Sequence, residues 1–202
     1  MTPTQPIVLG ISGASGAPYA LRLLRVLCET GWTVHLTITP SGAQVVRAET
    51  GVELSLSRFD PAALGELGPG RVIYHHHADF QAGIASGSFP TAGMVVCPCS
   101  LSTLGAIAHG ITTNLLTRAA DVHLKERRRL ILVPRETPLS LVHLENMAAV
   151  TRAGAVVLPA MPGWYHQPRS LEDLIDFVVG RICDQLGLSI DLIRRWGTED
   201  AP

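Results

Sequence analysis

The chain has 202 residues and a formal charge of −1, with 47% hydrophobic and 16% charged residues. Disordered chains are poor in apolar residues and rich in charge, so a disordered protein is excluded. No apolar run reaches the ~20 residues that span a bilayer, and no excess of basic residues favours nucleic acid. We expect a cytoplasmic protein with one domain over residues 1–202 and a short tail from about residue 187, because no signal peptide is visible.

The chain carries more apolar residues than a small soluble core needs. This surplus predicts a fully buried sheet, an oligomer interface, or both. The spacing of the four cysteines fits neither a disulfide framework nor a zinc motif; they are Cys28, Cys97, Cys99 and Cys183. We therefore expect no structural metal.

Short apolar runs alternate along the chain with segments of helical periodicity. In chain order, the sequence predicts a strand at 6–11, a helix at 17–30, a strand at 33–39, a helix at 41–49, a loop at 52–70 with one short helix, a strand at 72–76, a loop at 78–92, a strand at 93–98, helices at 100–110 and 114–128, a strand at 129–134, a helix at 140–152, a strand at 155–161 and a helix at 170–186.

The predicted strands are continuous apolar runs and not alternating ones. Such strands are typical of a mostly parallel sheet that is covered on both faces. We predict an α/β fold, a doubly wound sheet sandwiched by helices of the Rossmann or flavodoxin-like type, in a single domain. Ligands of such sheets bind beyond the carboxyl ends of the strands, so function is expected in the loops that follow them.

The loop after the first strand is a turn rich in glycine and serine that leads into a helix. Glycines stand at positions 10, 13 and 16, and backbone N–H groups of such a turn can hold a phosphate or a flavin edge. The order differs from the G-x-G-x-x-G of dinucleotide folds. The second strand ends at Thr39 and Pro40, where an NAD site would offer Asp or Glu, so a mononucleotide is favoured.

Residues 100–103, Ser-Leu-Ser-Thr, follow the fourth predicted strand and begin a helix. Three hydroxyl groups in one helical turn favour an anion or cofactor site. The alternative is an ordinary helix N-cap at Ser100.

One predicted helix places Arg118, Asp121 and Lys125 on a single face. A solvated stripe of ion pairs is one interpretation, and a site for an anion is the other. Lys125 is the only lysine among 16 basic residues. A specific role for its compact charge is one interpretation, and neutral drift is the other.

Two further loops offer groups for chemistry. After the fifth predicted strand, Glu136 is a candidate acid–base group and Arg135 a candidate phosphate ligand, unless the two form a structural ion pair. Tyr165, in the aromatic loop at 163–168, could orient a substrate or pack an apolar segment.

The tract at 75–77 contains three histidines, but neighbouring residues on a strand point to opposite faces, which disfavours a metal site.

Six segments, taken together and in order, resemble one known family. They read GISGASGAPY at 10–19, CPCSLSTL at 97–104, LTRAADVHLKERR at 116–128, PRETP at 134–138, HLENM at 143–147 and PGWYHQP at 162–168. The sequence is similar to the UbiX/Pad1 family of flavin prenyltransferases from about residue 7 to Trp196.

This resemblance implies an activity. The family transfers a dimethylallyl group from dimethylallyl monophosphate to N5 and C6 of reduced FMN, and its product, prenylated FMN, serves UbiD-type decarboxylases. The family works without metal and assembles as homo-dodecamers with sites between subunits. Because no metal is present to stabilise the departing phosphate, basic residues must do so.

The resemblance also implies roles for individual residues. Contacts to FMN fall on Gly13, Ala14, Ser15, Thr39, Ser100, Leu101, Ser102, Thr103 and Arg118. Contacts to dimethylallyl phosphate fall on Lys125, Arg135, Tyr165 and Arg181. The catalytic set is Glu136 as acid–base residue with Glu49 and Ser15. Trp196 and the loop 86–88 lie near the site, whereas Phe80 stands in a stretch where some relatives carry tryptophan.

Other functions are open on the residues alone. A flavin-dependent decarboxylase could act on a peptidyl cysteine, but that group has a Pro-Ala-Ser-Ala-Asn-Thr loop and a histidine on its second helix, and this chain has no histidine between Ser41 and Gly51. A decarboxylase of an aromatic acid is a second alternative. A non-catalytic FMN carrier is a third, and it would not need Glu136 or Lys125.

Overall fold

A computed structural model describes residues 5–193 and 195–197. Its six strands pair in parallel in one sheet, in the order β3-β2-β1-β4-β5-β6. They are β1 Ile7–Ile11, β2 Thr33–Ile38, β3 Arg71–His76, β4 Gly93–Cys99, β5 Leu130–Pro134 and β6 Val156–Val157. The predicted doubly wound α/β fold is confirmed.

Helices cover both faces of this sheet. They are α1 Ala17–Glu29, α2 Pro40–Thr50, α3 Leu101–Ala108, α4 Leu115–Lys125, α5 Leu141–Arg152 and α6 Leu171–Leu186, with short 3-10 helices at Pro61–Leu64 and Gly83–Ala85. One apolar core lies between the sheet and α1, α2 and α6, and the other between the sheet and α3, α4 and α5. In the part of the chain described, no helix is long and apolar enough to cross a membrane.

The order of the strands creates a crevice beyond their carboxyl ends, which form the carboxyl edge of the sheet. From β1 the chain winds outward to β2 and β3, and then returns to place β4 on the other side of β1. The loops that follow β1 and β4 therefore leave the sheet toward opposite faces, at the point where such sheets bind ligands.

The last predicted strand, 155–161, was too long. β6 contains only Val156 and Val157, because the next ladder bond would need an N–H at Pro134 of β5 to donate to the carbonyl of Leu158, and proline has none. The chain still runs along β5: Leu158 N donates to Leu132 O at 2.8 Å, and Ala160 N donates to a carbonyl of β5 at 3.0 Å. The residues after β6 are thereby carried to the carboxyl edge of the sheet.

Two predicted helix boundaries were also wrong. The helix predicted over 114–128 ends at Lys125, and Arg127 takes a left-handed conformation, with φ of 56°, that stops it. The helix predicted from Ser41 begins instead at Pro40, because Thr39 is its N-cap and accepts a hydrogen bond from Gly42 N at 3.0 Å.

Two histidines are buried in the fold. His35 Nδ1 lies 2.8 Å from Nε2 of His75. The ring of His123 lies between the carbonyl of Ala119, at 2.7 Å, and the hydroxyl of Thr91, at 2.8 Å. Removal from water disfavours a charged imidazole, so burial lowers the pKa of His35 and of His123 to about 4.

We expect the free energy of unfolding to fall as the pH is lowered from about 6.5 toward about 5. In the unfolded chain His35 and His123 take up protons near 6.5, whereas in the folded chain they remain neutral until about 4. The unfolded state therefore binds more protons throughout this interval. Urea unfolding at about pH 7, 6 and 5 measures the effect. An unfolding free energy that stays constant would contradict the burial of two neutral imidazoles.

Candidate active site

The turn between β1 and α1 is closely packed. Gly16 has φ of 125°, a conformation that L side chains rarely adopt. A Cβ atom at Gly13 would lie 2.6 Å from the side chain of Ser41, so the turn and the start of α2 are in contact there. The turn offers backbone groups, and few side-chain atoms, to whatever binds in the crevice.

Glu49, near the end of α2, holds this turn in place. Its Oε2 accepts hydrogen bonds from Gly16 N at 2.9 Å and Ala17 N at 2.8 Å. Burial raises the pKa of Glu49, but the Ser15 hydroxyl, those two N–H groups and the charge of Arg135 outweigh burial and hold the pKa below its usual value. The carboxylate is therefore ionised and stabilises the N-terminus of α1.

Ser12 joins the two loops that border the crevice. Its Oγ donates to Pro98 O at 3.0 Å and accepts from Ser100 N at 2.8 Å, and only 1% of the residue is exposed. The sequence did not predict this role for Ser12. A serine directly after a buried strand at the switch point was the available signal, but its partners lie 86 and 88 residues away.

Ser12→Ala is expected to lower the free energy of unfolding by about 1–3 kcal/mol, because the N–H of Ser100 would lose its partner away from water. Ser102→Ala is the matched control, since Ser102 is exposed and its loss should change stability by less than about 0.5 kcal/mol. Urea titrations compare the two variants with the wild type. Equal stabilities would show that Ser12 does not hold the loops together.

The start of α3 contains the three predicted hydroxyl groups. Ser100 is the N-cap: its Oγ accepts from Thr103 N at 3.2 Å and lies 3.1 Å from Ser102 Oγ and 2.9 Å from Thr103 Oγ1. The capping interpretation is thus correct for Ser100, and it coexists with a cluster of hydroxyls. The first N–H groups of α3 lie at the switch point, where the positive end of the helix dipole favours an anion, whereas the start of α1 already holds the carboxylate of Glu49.

Arg135 and Glu136 follow β5 at the same edge. Arg135 Nε donates to Ser15 O at 3.4 Å, so the guanidinium reaches the turn after β1. Glu136 is exposed and accepts a hydrogen bond only from the neighbouring Thr137 N, at 3.0 Å, and within the described residues it forms no ion pair with Arg135. Both border a cavity of about 240 Å³ whose other walls include Met147. The carboxylate is free to reach a bound molecule.

Tyr165 lies in an aromatic cluster beyond the end of β6. Its ring makes edge contacts with Phe177 and with Trp196, at centroid distances of 5.6 and 5.5 Å. Arg181, one turn after Phe177 on α6, pairs with Asp184 at 2.7 Å.

Arg181 borders a groove next to the cavity of Glu136. The groove has a volume of about 290 Å³, and Pro159 and Met161 line both spaces. Arg135 and Glu136 thus line the cavity, Arg181 lines the adjoining groove, and Tyr165 contacts Phe177 in the wall of that groove.

Lys125 does not reach this region within one chain. Helices of a parallel sheet run against the strands, so the end of α4 lies near the start of β5, and Glu136 lies past its far end, about 20 Å away along the strand. Arg118 is in the first turn of α4, where Nε donates to Ala85 O at 3.0 Å and Nη1 to Asp121 at 2.9 Å. Lys125 pairs with Glu126.

The histidine tract has another use. His75 pairs with His35, and the rings of His76 and His77 lie 4.3 Å apart. Among residues 5–193 and 195–197, no three His, Cys, Asp or Glu side chains are placed to hold a metal ion. Phe80, in the following loop, is 48% exposed.

The Flavoprotein family model matches residues 1–183. A flavin prenyltransferase UbiX from Halalkalibacterium halodurans is 49% identical over 191 residues, which cover 95% of this chain and 93% of the relative. The chain belongs to the UbiX family of flavin prenyltransferases. Membership agrees with the ordered motifs in the loops after β1, β4, β5 and β6.

Solved UbiX structures share this fold closely. AnUbiX (PadA1), in complex with FMN and dimethylallyl pyrophosphate, is 41% identical with a TM-score of 0.85, covering 96% of this chain and 98% of its own. A dodecameric FMN-dependent UbiX-like decarboxylase from Escherichia coli O157:H7 is 40% identical with a TM-score of 0.84, covering 96% and 100%. The cysteine decarboxylase TvaF, at 20% identity, a TM-score of 0.57 and coverage of 77% and 90%, shares the fold alone.

Proposed function

We propose that this protein is a flavin prenyltransferase, which joins a dimethylallyl group from a dimethylallyl phosphate to N5 and C6 of reduced FMN and releases phosphate. One observation carries the proposal. An exposed carboxylate, Glu136, and an arginine, Arg135, border a cavity at the carboxyl edge of the sheet, next to the glycine-rich turn. This places an acid–base group and a phosphate ligand beside a site suited to a flavin.

The crevice suits FMN. The turn Gly13–Ser15 and the start of α3 present N–H groups and hydroxyls to an anionic or polar edge, and Thr39, the N-cap of α2, follows β2 at the same end of the sheet. Bound reduced flavin supplies the nucleophilic N5 and C6 atoms. The proposed set is Gly13, Ala14, Ser15, Thr39, Ser100, Leu101, Ser102, Thr103 and Arg118. Arg118 rests on the resemblance alone, since its guanidinium already contacts Asp121 and Ala85.

Arg135, Tyr165 and Arg181 hold the prenyl phosphate, and Lys125 reaches it from a second copy of the chain. As the C–O bond of the donor breaks, its electron pair leaves with the phosphate, and the three cations stabilise the negative charge. The proton displaced from N5 leaves with the phosphate. Closing the second bond delivers one proton to the alkene and removes one from C6, and Glu136 transfers both.

Glu49 and Ser15 support this chemistry from the turn. The ionised Glu49 fixes the first N–H groups of α1, and the Ser15 hydroxyl stabilises that carboxylate. Ser15 belongs to the proposed catalytic set as a positioning residue, since its hydroxyl holds Glu49 and its carbonyl accepts from Arg135. No step of the proposed reaction uses a metal.

We propose a homo-dodecamer as the working assembly. Helix α5 exposes three apolar side chains, Leu141, Val142 and Leu144, at 69%, 62% and 49%. Apolar residues clustered on one surface are typical of a subunit interface. A second copy is also needed because Lys125 and Glu136 lie at opposite edges of the sheet in a single chain.

We propose that the product passes to a UbiD-type decarboxylase and that the protein acts in the cytoplasm. A prenylated flavin is consumed only by an enzyme that uses it as cofactor. All four cysteines are buried free thiols, a state that a reducing compartment preserves.

Release of phosphate from dimethylallyl monophosphate under anaerobic conditions tests the proposed function. We expect release with reduced FMN and none with oxidised FMN, which is the control because oxidised N5 is not a nucleophile. A protein that releases no phosphate, and instead releases carbon dioxide from phenylacrylic acids or peptidyl cysteines, would overturn the proposal in favour of a decarboxylase.

A further inference from the structure

Two arginine side chains hold the segment 82–89 against α4. Arg118, in the first turn, donates to Ala85 O at 3.0 Å. Beyond the last turn, Arg128 donates through Nη1 to Phe89 O at 2.7 Å and through Nη2 to Gly87 O. The planar guanidinium of Arg128 thus binds two carbonyls that are two residues apart, a geometry that lysine cannot reproduce.

The segment itself is a compact turn, so it moves as a unit. Ser86 Oγ lies 2.9 Å from Ser88 Oγ and accepts from Ser88 N at 3.3 Å, and Phe89 N donates to Ser86 O at 3.2 Å. The Phe89 ring packs edge-on against His35, with centroids 5.1 Å apart. A displacement at Gly87 is therefore transmitted to the hydroxyls on either side of it.

Gly87 packs beside the Lys125 ammonium. A Cβ atom at Gly87 would lie 2.7 Å from Lys125 Nζ and in contact with Glu126 Oε1, so the backbone of residue 87 packs directly on this ion pair. Glu126 fixes one side of the ammonium and Gly87 the other. Arg128 fixes Gly87.

We propose that Arg128 is a positioning residue for prenyl transfer: by holding the Gly87 backbone against α4, it presents the Lys125 ammonium to the phosphate of the prenyl donor. This rests on the proposed function, which assigns Lys125 to that phosphate. Arg128 does not itself touch the donor. Misplacing a catalytic cation by about 1 Å can slow the reaction by about 10²-fold. Because Lys125 is assigned to the donor phosphate, we expect loss of Arg128 to weaken binding of the donor and not of FMN.

The test compares Arg128→Ala and Arg128→Lys with Arg127→Ala, a matched control from the adjacent, exposed arginine. Calorimetry with dimethylallyl monophosphate is done on the full oligomer loaded with oxidised FMN, where no turnover occurs. We expect both Arg128 variants to bind the donor about tenfold or more weakly, with FMN affinity and thermal stability close to wild type and Arg127→Ala unchanged. Hydrogen exchange of amides 82–89 should accelerate in the Arg128 variants only.

Two results would overturn the proposal. Donor affinity at the wild-type level, despite faster exchange in 82–89, would show that the segment does not position Lys125. Equal losses of FMN affinity, donor affinity and stability would show a purely structural role. Failure of the proposed function is distinct from either, because the wild-type protein itself would then bind no donor and release no phosphate.

Discussion

Glu136→Gln is expected to slow prenyl transfer by about 10²–10⁴-fold, the usual span for an acid–base group, while FMN affinity stays within about twofold of wild type. Glutamine keeps the size of the side chain and the oxygen that accepts from Thr137 N at 3.0 Å. What is lost is the ability to accept and return a proton. Rapid mixing of reduced FMN-loaded protein with dimethylallyl monophosphate measures the rate, and calorimetry measures FMN affinity.

Glu66→Gln is the matched control, because Glu66 is an exposed glutamate that does not line the cavity and is not on the apolar face of α5. It should have the wild-type rate. Collapse of FMN binding in Glu136→Gln would make that carboxylate structural. A rate equal to wild type would remove Glu136 from the proton transfers.

Lys125→Ala is expected to lower the rate of phosphate release by about 10²–10³-fold, since the departing phosphate loses one of the cations that stabilise it. Lys125→Arg should lower it by about tenfold or more, because a planar guanidinium does not fit between Gly87 and Glu126 as a compact ammonium does. Steady-state phosphate release of both variants, with FMN affinity as reference, measures these losses. A wild-type rate in Lys125→Arg would mean that only the charge matters.

Mixed oligomers test whether Lys125 serves a second copy of the chain. Co-expressed Lys125→Ala and Glu136→Gln subunits, carrying different tags, are purified through both tags. If each site takes these residues from two chains, roughly a quarter of the sites contain both intact residues, and activity returns to that fraction of wild type. Activity no higher than that of the separate variants would contradict a site completed between subunits.

Most of the fold could be predicted because its strands are buried on both faces. Apolar runs such as 93–98 and 130–134 can be fully buried in few structures other than the middle of a covered sheet. The helices between successive strands then require the strands to pair in parallel. The errors occurred where one backbone group decided the outcome. The missing N–H of Pro134 ends β6 early, and the left-handed Arg127 ends α4 early, and neither event changes the periodicity from which the elements are predicted.

The sequence predicted which loops form the site, but not which of their residues contact one another. The hydroxyl groups, the glycines and the neighbouring residues Arg135 and Glu136 stand in loops that the topology brings to the carboxyl ends of the strands. The role of Ser12 depends on partners in a loop after another strand, and that of Glu49 on a turn more than 30 residues earlier in the chain. Such contacts leave no periodic pattern. The position of Lys125 at the opposite edge follows only once the direction and the end of α4 are known.

Mass spectrometry of the released flavin tests the central claim most directly. The protein is incubated without oxygen with FMN, dithionite and dimethylallyl monophosphate, and the flavin is then separated from it. The proposed reaction predicts a flavin heavier by one dimethylallyl-derived unit, formed by the wild type and strongly reduced in Glu136→Gln. Unmodified FMN recovered from folded, FMN-loaded wild-type protein that is saturated with donor would contradict the assignment as a prenyltransferase.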